Sequence, residues 1–470
     1  MINIPAIIPG LRQWTSLGSY LTLPDTCRLV IAPTCIAELT ETAKTLQELL
    51  SVETGRTLAI TTRLSSAKGD IFLTLDKPDQ EIGDQGYILE IDDYVKVQSS
   101  TATGIFYGGQ TLLQMLHQDP THTQLPRGLA CDYPGFQQRG IMLDAGRKYW
   151  GLDYLLQTVR QMARLKLNVL HLHFTDWNAF RLESEQFPGL AKHPAYSKAD
   201  IVALQSYAHK WHVTLIPEID LPAHATAITR YEPSLSFNCQ SMSNSRWPGG
   251  ELGGWTIDYT NPAARQWMKN LVDEFLVLFD SPYFHIGTDE VPEGDCTDQC
   301  PALVNYAREK GYPYTGDVLI EWINTMNQLV KAHGKTTQIW SWYERSPHSL
   351  RLDEDIIINA WVEDGTPDAF LEAGYKVISS SENTHYITPG LNLLPDNEYL
   401  YHKWIPNTHP NILGYKLCVW ADKRESEPDE YFESLVNTPR AILAERTWNA
   451  NVPEKPLDDF IQSYSRFASL

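Results

Sequence analysis

No stretch of this chain approaches the ~20 consecutive apolar residues that a membrane span needs, so no membrane partner is expected. Positive charge is scarce as well. Lys and Arg number 38 against 58 Asp and Glu, a formal charge of −20, which disfavours nucleic acid or any other phosphate-rich partner. Cysteine is sparse and odd in number. The seven (Cys27, Cys35, Cys131, Cys239, Cys296, Cys300, Cys418) are mostly scattered, unlike a disulfide framework. Cys296 and Cys300 alone lie close together. A loop disulfide or a metal half-site fits that spacing, but two free thiols are the expectation for a reducing compartment. The start Met1-Ile2-Asn3-Ile4-Pro5 lacks the basic and long apolar regions of a secretory signal, which points to the cytoplasm.

What the chain has is length and apolar content. Its 470 residues, 43% hydrophobic, suit one large domain plus a smaller one. Residues 1–127 mix short β-type runs (Cys27 to Ile31, Asp70 to Leu75, Tyr87 to Ile91, Tyr94 to Gln98) with helical stretches around Ile36 to Leu50 and Gly104 to Leu116. They read as a small α/β sheet domain with no chemical cluster. The polar, Pro-containing segment His117 to Gly128 marks the boundary, and residues 128–470 form the second domain.

From Arg139 onward, eight β-rich runs alternate with helical or loop stretches: Gly140 to Leu143, Val169 to Phe174, Val213 to Pro217, Tyr283 to Ile286, Thr337 to Trp340, Ile356 to Ala360, Lys376 to Ser379 and Gly414 to Val419. That count predicts an α/β fold of the (β/α)8 TIM-barrel type. The barrel should be somewhat irregular. Trp342 to Asp355 is too short for a helix with its loops, and Glu382 to Leu413 is long and rich in Pro, Asn and aromatics.

Active sites of such barrels lie at the C-terminal ends of the strands, and nearly every run here leads to site-like residues. In order these are Asp144 and Arg147; His173, Asp176 and Trp177; Glu218, Asp220 and His224; His285, Asp289 and Glu290; Trp342 and Glu344; Trp361 and Glu363; Tyr386; and Trp420 and Asp422. A single barrel-end Trp is ordinarily rim packing and a lone carboxylate a salt-bridge partner. Their recurrence around one mouth describes a sugar site, where aromatic faces pack on C–H surfaces and polar groups fix hydroxyls. His171, His173 and Asp176 could hold a metal, but inward-pointing strand histidines are equally often core residues, so neither metal nor cofactor is expected.

Most glycosidases place two carboxyl groups across the scissile bond. Asp289 and Glu290 are consecutive, and at the end of an extended strand neighbouring side chains diverge. Two readings remain. Either Glu290 is the acid and another carboxylate, for example Glu382, is the nucleophile, or the substrate supplies the nucleophile and Asp289 orients it.

The run His285-Ile286-Gly287-Thr288-Asp289-Glu290-Val291 resembles the signature of glycoside hydrolase family 20, the β-N-acetylhexosaminidases. Further matches follow in order: Arg139-Gly140 with Asp144 and Arg147, His171 to Asp176 before Phe180-Arg181, Ile216 to Pro222 with His224, and Ala444-Glu445-Arg446 with Trp448. The resemblance implies a retaining exo-β-N-acetylhexosaminidase acting on terminal β-linked GlcNAc or GalNAc through an oxazolinium intermediate. Glu290 would be acid and base, and Asp289 would hold the acetamide. Asp176 and His224 would tune Glu290, a buried hydrogen-bonded couple being the alternative for that pair. Tyr386 would bond the acetamide oxygen, Trp342, Trp361 and Trp420 would wall the pocket, and Arg139 would hold the 3- and 4-hydroxyls.

Three positions depart from the family pattern: Trp177 in place of an Asp, Thr388 in place of the Asp of Tyr-x-Asp, and Asp422 in place of the Glu of Trp-x-Glu. They touch recognition of the outer hydroxyls and leave GlcNAc against GalNAc open. A disaccharide-releasing enzyme of the same family and an inactive sugar-binding barrel are the rival functions.

Overall fold

A computed structural model describes residues 5–76, 82–244, 254–362 and 366–467. Seven strands build the first layer: β1 (Gln13–Thr22), β2 (Arg28–Ile31), β3 (Ala59–Thr62), β4 (Ile71–Leu75), β5 (Tyr87–Ile91), β6 (Val95–Ser99) and β7 (Gln124–Asp132), in the order β1-β7-β5-β6-β4-β2-β3. In β6, Val95, Val97 and Ser99 are buried while Lys96 and Gln98 are only partly covered, the period-2 pattern of a sheet with one packed face. Helices α1 (Ile36–Thr54) and α2 (Ala102–Gln118) pack on this layer. Thr101 caps α2, its hydroxyl accepting from Gly104 N–H, and α1 ends at Gly55, whose φ of 65° suits a residue without Cβ. The sheet runs through Asp132, so the first layer extends beyond the boundary expected at residue 127.

The second layer is a closed parallel barrel of eight strands: β8 (Gln138–Asp144), β9 (Val169–His173), β10 (Thr214–Glu218), β11 (Tyr283–His285), β12 (Thr336–Trp340), β13 (Ile357–Ala360), β14 (Lys376–Ser379) and, after the two-residue β15 (Tyr386–Ile387), β16 (Ile412–Val419). Pairing of β14 with β16 closes it. Every residue of β8, β9 and β13 is buried, because helices cover the outside and side chains fill the inside; such strands read as continuous apolar runs. The seventh strand is interrupted. β14 pairs with the first half of β16, a short helix Glu382–His385 intervenes, and β15 pairs with the second half (Tyr386 opposite Cys418). The interruption lifts Tyr386 to the C-terminal end of the barrel.

Of the connecting helices, α3 (Leu152–Arg164) buries Leu155, Val159, Met162 and Ala163 at helical spacing, and α4 (Lys198–Lys210) starts with a capping box between Ser197 and Asp200. Between Trp340 and Ile357 only a 3-10 turn forms, and between Ile387 and Ile412 a 3-10 turn and a six-residue helix, as the short and the irregular segments predict. Among the described residues no helix is long and apolar enough to cross a membrane.

The cysteines correct an expectation. Cys300 is not a free thiol: it is bonded to Cys239, 61 residues away in sequence, while Cys296 is free and exposed. The expectation of two free thiols fails at Cys300, and its pairing is not legible in the sequence because the partner comes from the segment after β10.

Candidate active site

The C-terminal ends of the barrel strands bring most of the predicted residues together. After β11 the backbone leaves the extended conformation: Gly287, Thr288 and Glu290 have φ of 72°, 88° and 48°. A Cβ on Gly287 would stand 1.7 Å from Asp220 Oδ1, so no other residue fits there. Positive φ is costly for a β-branched Thr; Thr288 is held by N–H donation to Asp220 (3.1 Å) and hydroxyl donation to the Trp340 carbonyl (3.3 Å). The premise of an extended strand end therefore fails. This turn brings both acidic side chains to one imidazole: His224 Nε2 lies 3.5 Å from the Asp289 carboxylate and 3.6 Å from that of Glu290.

His224, itself at φ 51°, places Nδ1 3.1 Å from Asp176, which also takes His173 Nε2 at 3.1 Å and Arg147 Nη1 at 2.9 Å. Burial disfavours charge on His224, but Asp176, Asp289 and Asp220 outweigh it and hold its pKa well above the imidazole range. Asp176 is driven down: burial works against its charge, and Arg147 and His224 overcome that. Glu290 goes the other way. Burial raises its pKa, His224 pulls part of that back, and Asp289 pushes it up again, leaving a carboxyl above its ordinary range. The site thus holds a cationic imidazole beside an acid that keeps its proton longer than usual.

Four aromatic rings stand beside this cluster. Trp342 and Trp361 are stacked (5.6 Å between centroids, 4° apart), Trp361 stacks on Tyr386 (6.1 Å, 12°), and Tyr386 meets Trp420 at 6.0 Å. Met142, Trp340, Tyr386, Cys418 and Trp420 form an apolar cluster separate from the main core. Trp342 is fixed by N–H donation to the Val291 carbonyl, directly after Glu290. Asp422 is buried at this end and paired with Arg147 Nε at 3.3 Å. Thr388 is buried too, its hydroxyl without a partner among the described residues. Glu363 lies outside the described residues.

Arg139 is a correction. It stands near the start of β8, at the opposite end of the barrel, fully buried. Its guanidinium donates to the backbone carbonyls of Lys166 and Phe136 and lies over the ring of Trp448 (5.2 Å). No donor is left for a sugar. The arginine at the mouth is Arg147, which bonds Asp144 (3.1 Å), Asp176 and Asp422 and sits 5.3 Å from the Trp420 ring. The usable signal was position along the strand: Arg147 follows the apolar run, whereas Arg139 precedes it.

His171 and His173, weighed as ligands, belong to a buried network beneath the site. Both reach Glu218 Oε2 at 2.9 Å, His285 reaches Glu218 Oε1 at 3.2 Å, and Lys416 donates to His171 Nδ1 at 2.8 Å. Burial pulls Lys416 down to about 8. Nothing in the pattern Gly414-Tyr415-Lys416-Leu417 flags this lysine except that a charge interrupts an apolar strand.

Comparison with known proteins follows this geometry. Residues 136–451 match the model "Glycosyl hydrolase family 20, catalytic domain", and residues 4–133 match its domain 2. The chain is similar to a lacto-N-biosidase of Bifidobacterium bifidum (26% identical over 467 residues, 96% of this chain and 40% of the relative). It is similar to a beta-hexosaminidase of Vibrio furnissii (26% over 391 residues, 72% of this chain and 62% of the relative). It thus spans less than two thirds of the length of either relative. Among solved structures, it superposes on the exo beta-N-acetylglucosaminidase of Vibrio harveyi in complex with N-acetylglucosamine (TM-score 0.83, 19% identity, 100% of this chain and 77% of that one), which shows the shared fold.

Proposed function

The chain belongs to glycosyl hydrolase family 20, and on that premise we propose that it is a retaining exo-β-N-acetylhexosaminidase that removes terminal β-linked GlcNAc or GalNAc, the substrate's 2-acetamido group acting as nucleophile. The observation that carries this reading is the Asp289–Glu290 turn, with both carboxylates on His224 beside the aromatic box. Glu290, half-buried and with its pKa raised, gives its proton to the glycosidic oxygen as the C1–O bond breaks. The acetamide oxygen bonds to C1 from the other face, and the positive charge spread over the oxazolinium ring rests against Asp289. Glu290, now a carboxylate, takes a proton from water, whose oxygen displaces the acetamide at C1. Two inversions retain the configuration.

Tyr386 is assigned to the acetamide oxygen, Trp342, Trp361 and Trp420 to the walls of the pocket, and Arg147 with Asp422 to the outer hydroxyls in place of Arg139. Asp176 fixes the His224 ring and its charge. The departures at Thr388 and Asp422 support relaxed discrimination at O4 or O6. A second reading, release of a disaccharide, draws on the match of 96% of the chain to a lacto-N-biosidase. The Cys239–Cys300 bond runs against the free thiols expected of a reducing compartment.

Kinetics on aryl β-GlcNAc, β-GalNAc, 6-substituted GlcNAc, lacto-N-bioside and β-glucoside test the proposal. The N-acetylhexosaminides should turn over, the β-glucoside should barely react, and a thiazoline analogue of the intermediate should inhibit far more tightly than substrate binds. Efficient β-glucoside hydrolysis with a covalent adduct trapped on Glu382 would replace this mechanism by the two-carboxylate one.

A further inference from the structure

A cavity of about 550 Å3 opens between the first layer and the barrel, walled by α1 and α2 on one side, by the last turns of α3 and α4 on the other, and by the C-terminal helix Leu457–Phe467. Barrel helices run against their strands, so the ends of α3 and α4 lie at the base of the barrel, opposite Glu290. The cavity is separate from the catalytic mouth.

Its polar groups are unbalanced in one direction. The carboxylates are engaged: Glu48 pairs with Lys210 at 2.6 Å, and Glu53 pairs with His117 and His122 at 3.0 and 2.6 Å. The donors are left over. Arg160 and Arg164 stand one turn apart on α3, the first exposed and the second half-buried, and the guanidinium of neither has a hydrogen bond or an ion pair among the described residues, while the Arg164 carbonyl accepts from Gln114 Nε2. Burial, then the neighbouring Arg160, lowers the pKa of Arg164, and Tyr207, Tyr464 and the Glu53 carboxylate pull only part of it back. Gln110 Nε2 and Trp211 Nε1, on side chains only 2% and 5% exposed, also lack an acceptor, and Gln161 Oε1 lacks a donor. Like charges at the spacing of the two arginines repel, and buried donors without acceptors, such as those of Gln110 and Trp211, are rare in folded proteins. The remaining wall is apolar, notably Leu49, Leu113, Leu165 and Phe467. A cavity of this volume, at a domain junction, with polar groups converging in an apolar lining, is what a small-ligand site needs.

We propose that this cavity binds an amphipathic anion, its carboxylate or phosphate head on Arg160, Arg164 and the N–H groups of Gln110 and Trp211, its apolar body against Leu49, Leu113 and Phe467. Because the walls belong to both layers, the ligand ties them together.

Calorimetry and thermal unfolding of the full chain with decanoate, decyl phosphate, decanol and inorganic phosphate test this. At least one of the two anionic amphiphiles should bind and raise Tm as its concentration exceeds Kd, the better of them identifying the head group. Decanol and inorganic phosphate should bind at least about tenfold more weakly, each lacking one half of the interaction. Arg164→Gln should weaken binding on the order of ten- to a hundredfold. Gln161→Glu keeps the packing but supplies an internal carboxylate three residues before Arg164, and should weaken binding as well. Aryl-GlcNAc turnover should stay unchanged in both variants. Decanol binding as tightly as decanoate and decyl phosphate, neither anion binding at millimolar concentration, or undiminished affinity in both folded variants would each overturn the proposal.

Discussion

The two ends of the barrel carry one arginine each from the same segment of chain, and they are used in opposite ways. At the base, Arg139 meets backbone carbonyls and the face of Trp448; nearby, Lys166 pairs with the buried Asp132 at 3.0 Å, and the Trp448 indole donates to that same carboxylate. The donors of Arg139, Lys166 and Trp448 all meet acceptors there, and these contacts join the two layers. At the mouth, Arg147 is shared among Asp144, Asp176 and Asp422, and Asp289 and Glu290 lean on a single imidazole. Carboxylates outnumber cations at that end. Satisfied donors give rigidity, whereas a surplus of negative charge favours an intermediate that is positive.

Removing the acid at the mouth should have the largest effect. Glu290→Gln is expected to lower kcat/KM for poor leaving groups by a factor on the order of 10² to 10⁴. Activated aryl glycosides should lose less in the first step, and the melting temperature should hardly move. Parent-rate hydrolysis of natural linkages by this variant would remove Glu290 from its role.

The two arginines provide the next contrast. Arg147→Gln should reduce kcat/KM about ten- to a hundredfold, the value of a charge-assisted hydrogen bond worth ~1.5 to 3 kcal/mol. Arg139→Met should leave kcat/KM per folded molecule within about twofold but lower Tm, because buried carbonyls lose donors costing ~1 to 3 kcal/mol each. An Arg139 variant that is catalytically crippled yet equally stable would invert the comparison.

The pH profile sharpens the electrostatic half of the comparison. In the proposed mechanism the acid form of Glu290 is the active one, so activity should fall as pH rises through its raised pKa, giving an alkaline limb above the ordinary carboxylate range. The His224 cation pulls that pKa down, so His224→Asn should move the limb to higher pH while lowering the maximal rate. A rate loss with an unmoved limb would make His224 a packing residue only.

The smallest effect is expected at the rim. Thr388→Asp with Asp422→Glu should sharpen preference for unsubstituted GlcNAc by roughly tenfold, the value of one regained charged contact, and leave thiazoline inhibition almost unchanged. A parent enzyme that already rejects GalNAc and 6-substituted sugars a thousandfold would show that other residues supply those contacts.

Local pattern alone determined much of this protein. A strand buried on both faces is largely apolar, so all eight barrel strands were legible as runs, and the recurrence of Asp, Glu, His and Trp after those runs located the mouth. The edge strand β1, mostly exposed and without alternation, and β7, with a Pro and a Gly in it, were not legible; they are strands only because they pair with each other and β7 with β5. Which arginine stands at the mouth, which thiol meets Cys300, and that Lys416 underlies the site through His171 were decided by the tertiary structure. Side-chain periodicity is a property of neighbours along the chain and can be read from them. The partner of a charge or a thiol is whichever group the closed barrel brings alongside, and that depends on strand register and on where each strand ends.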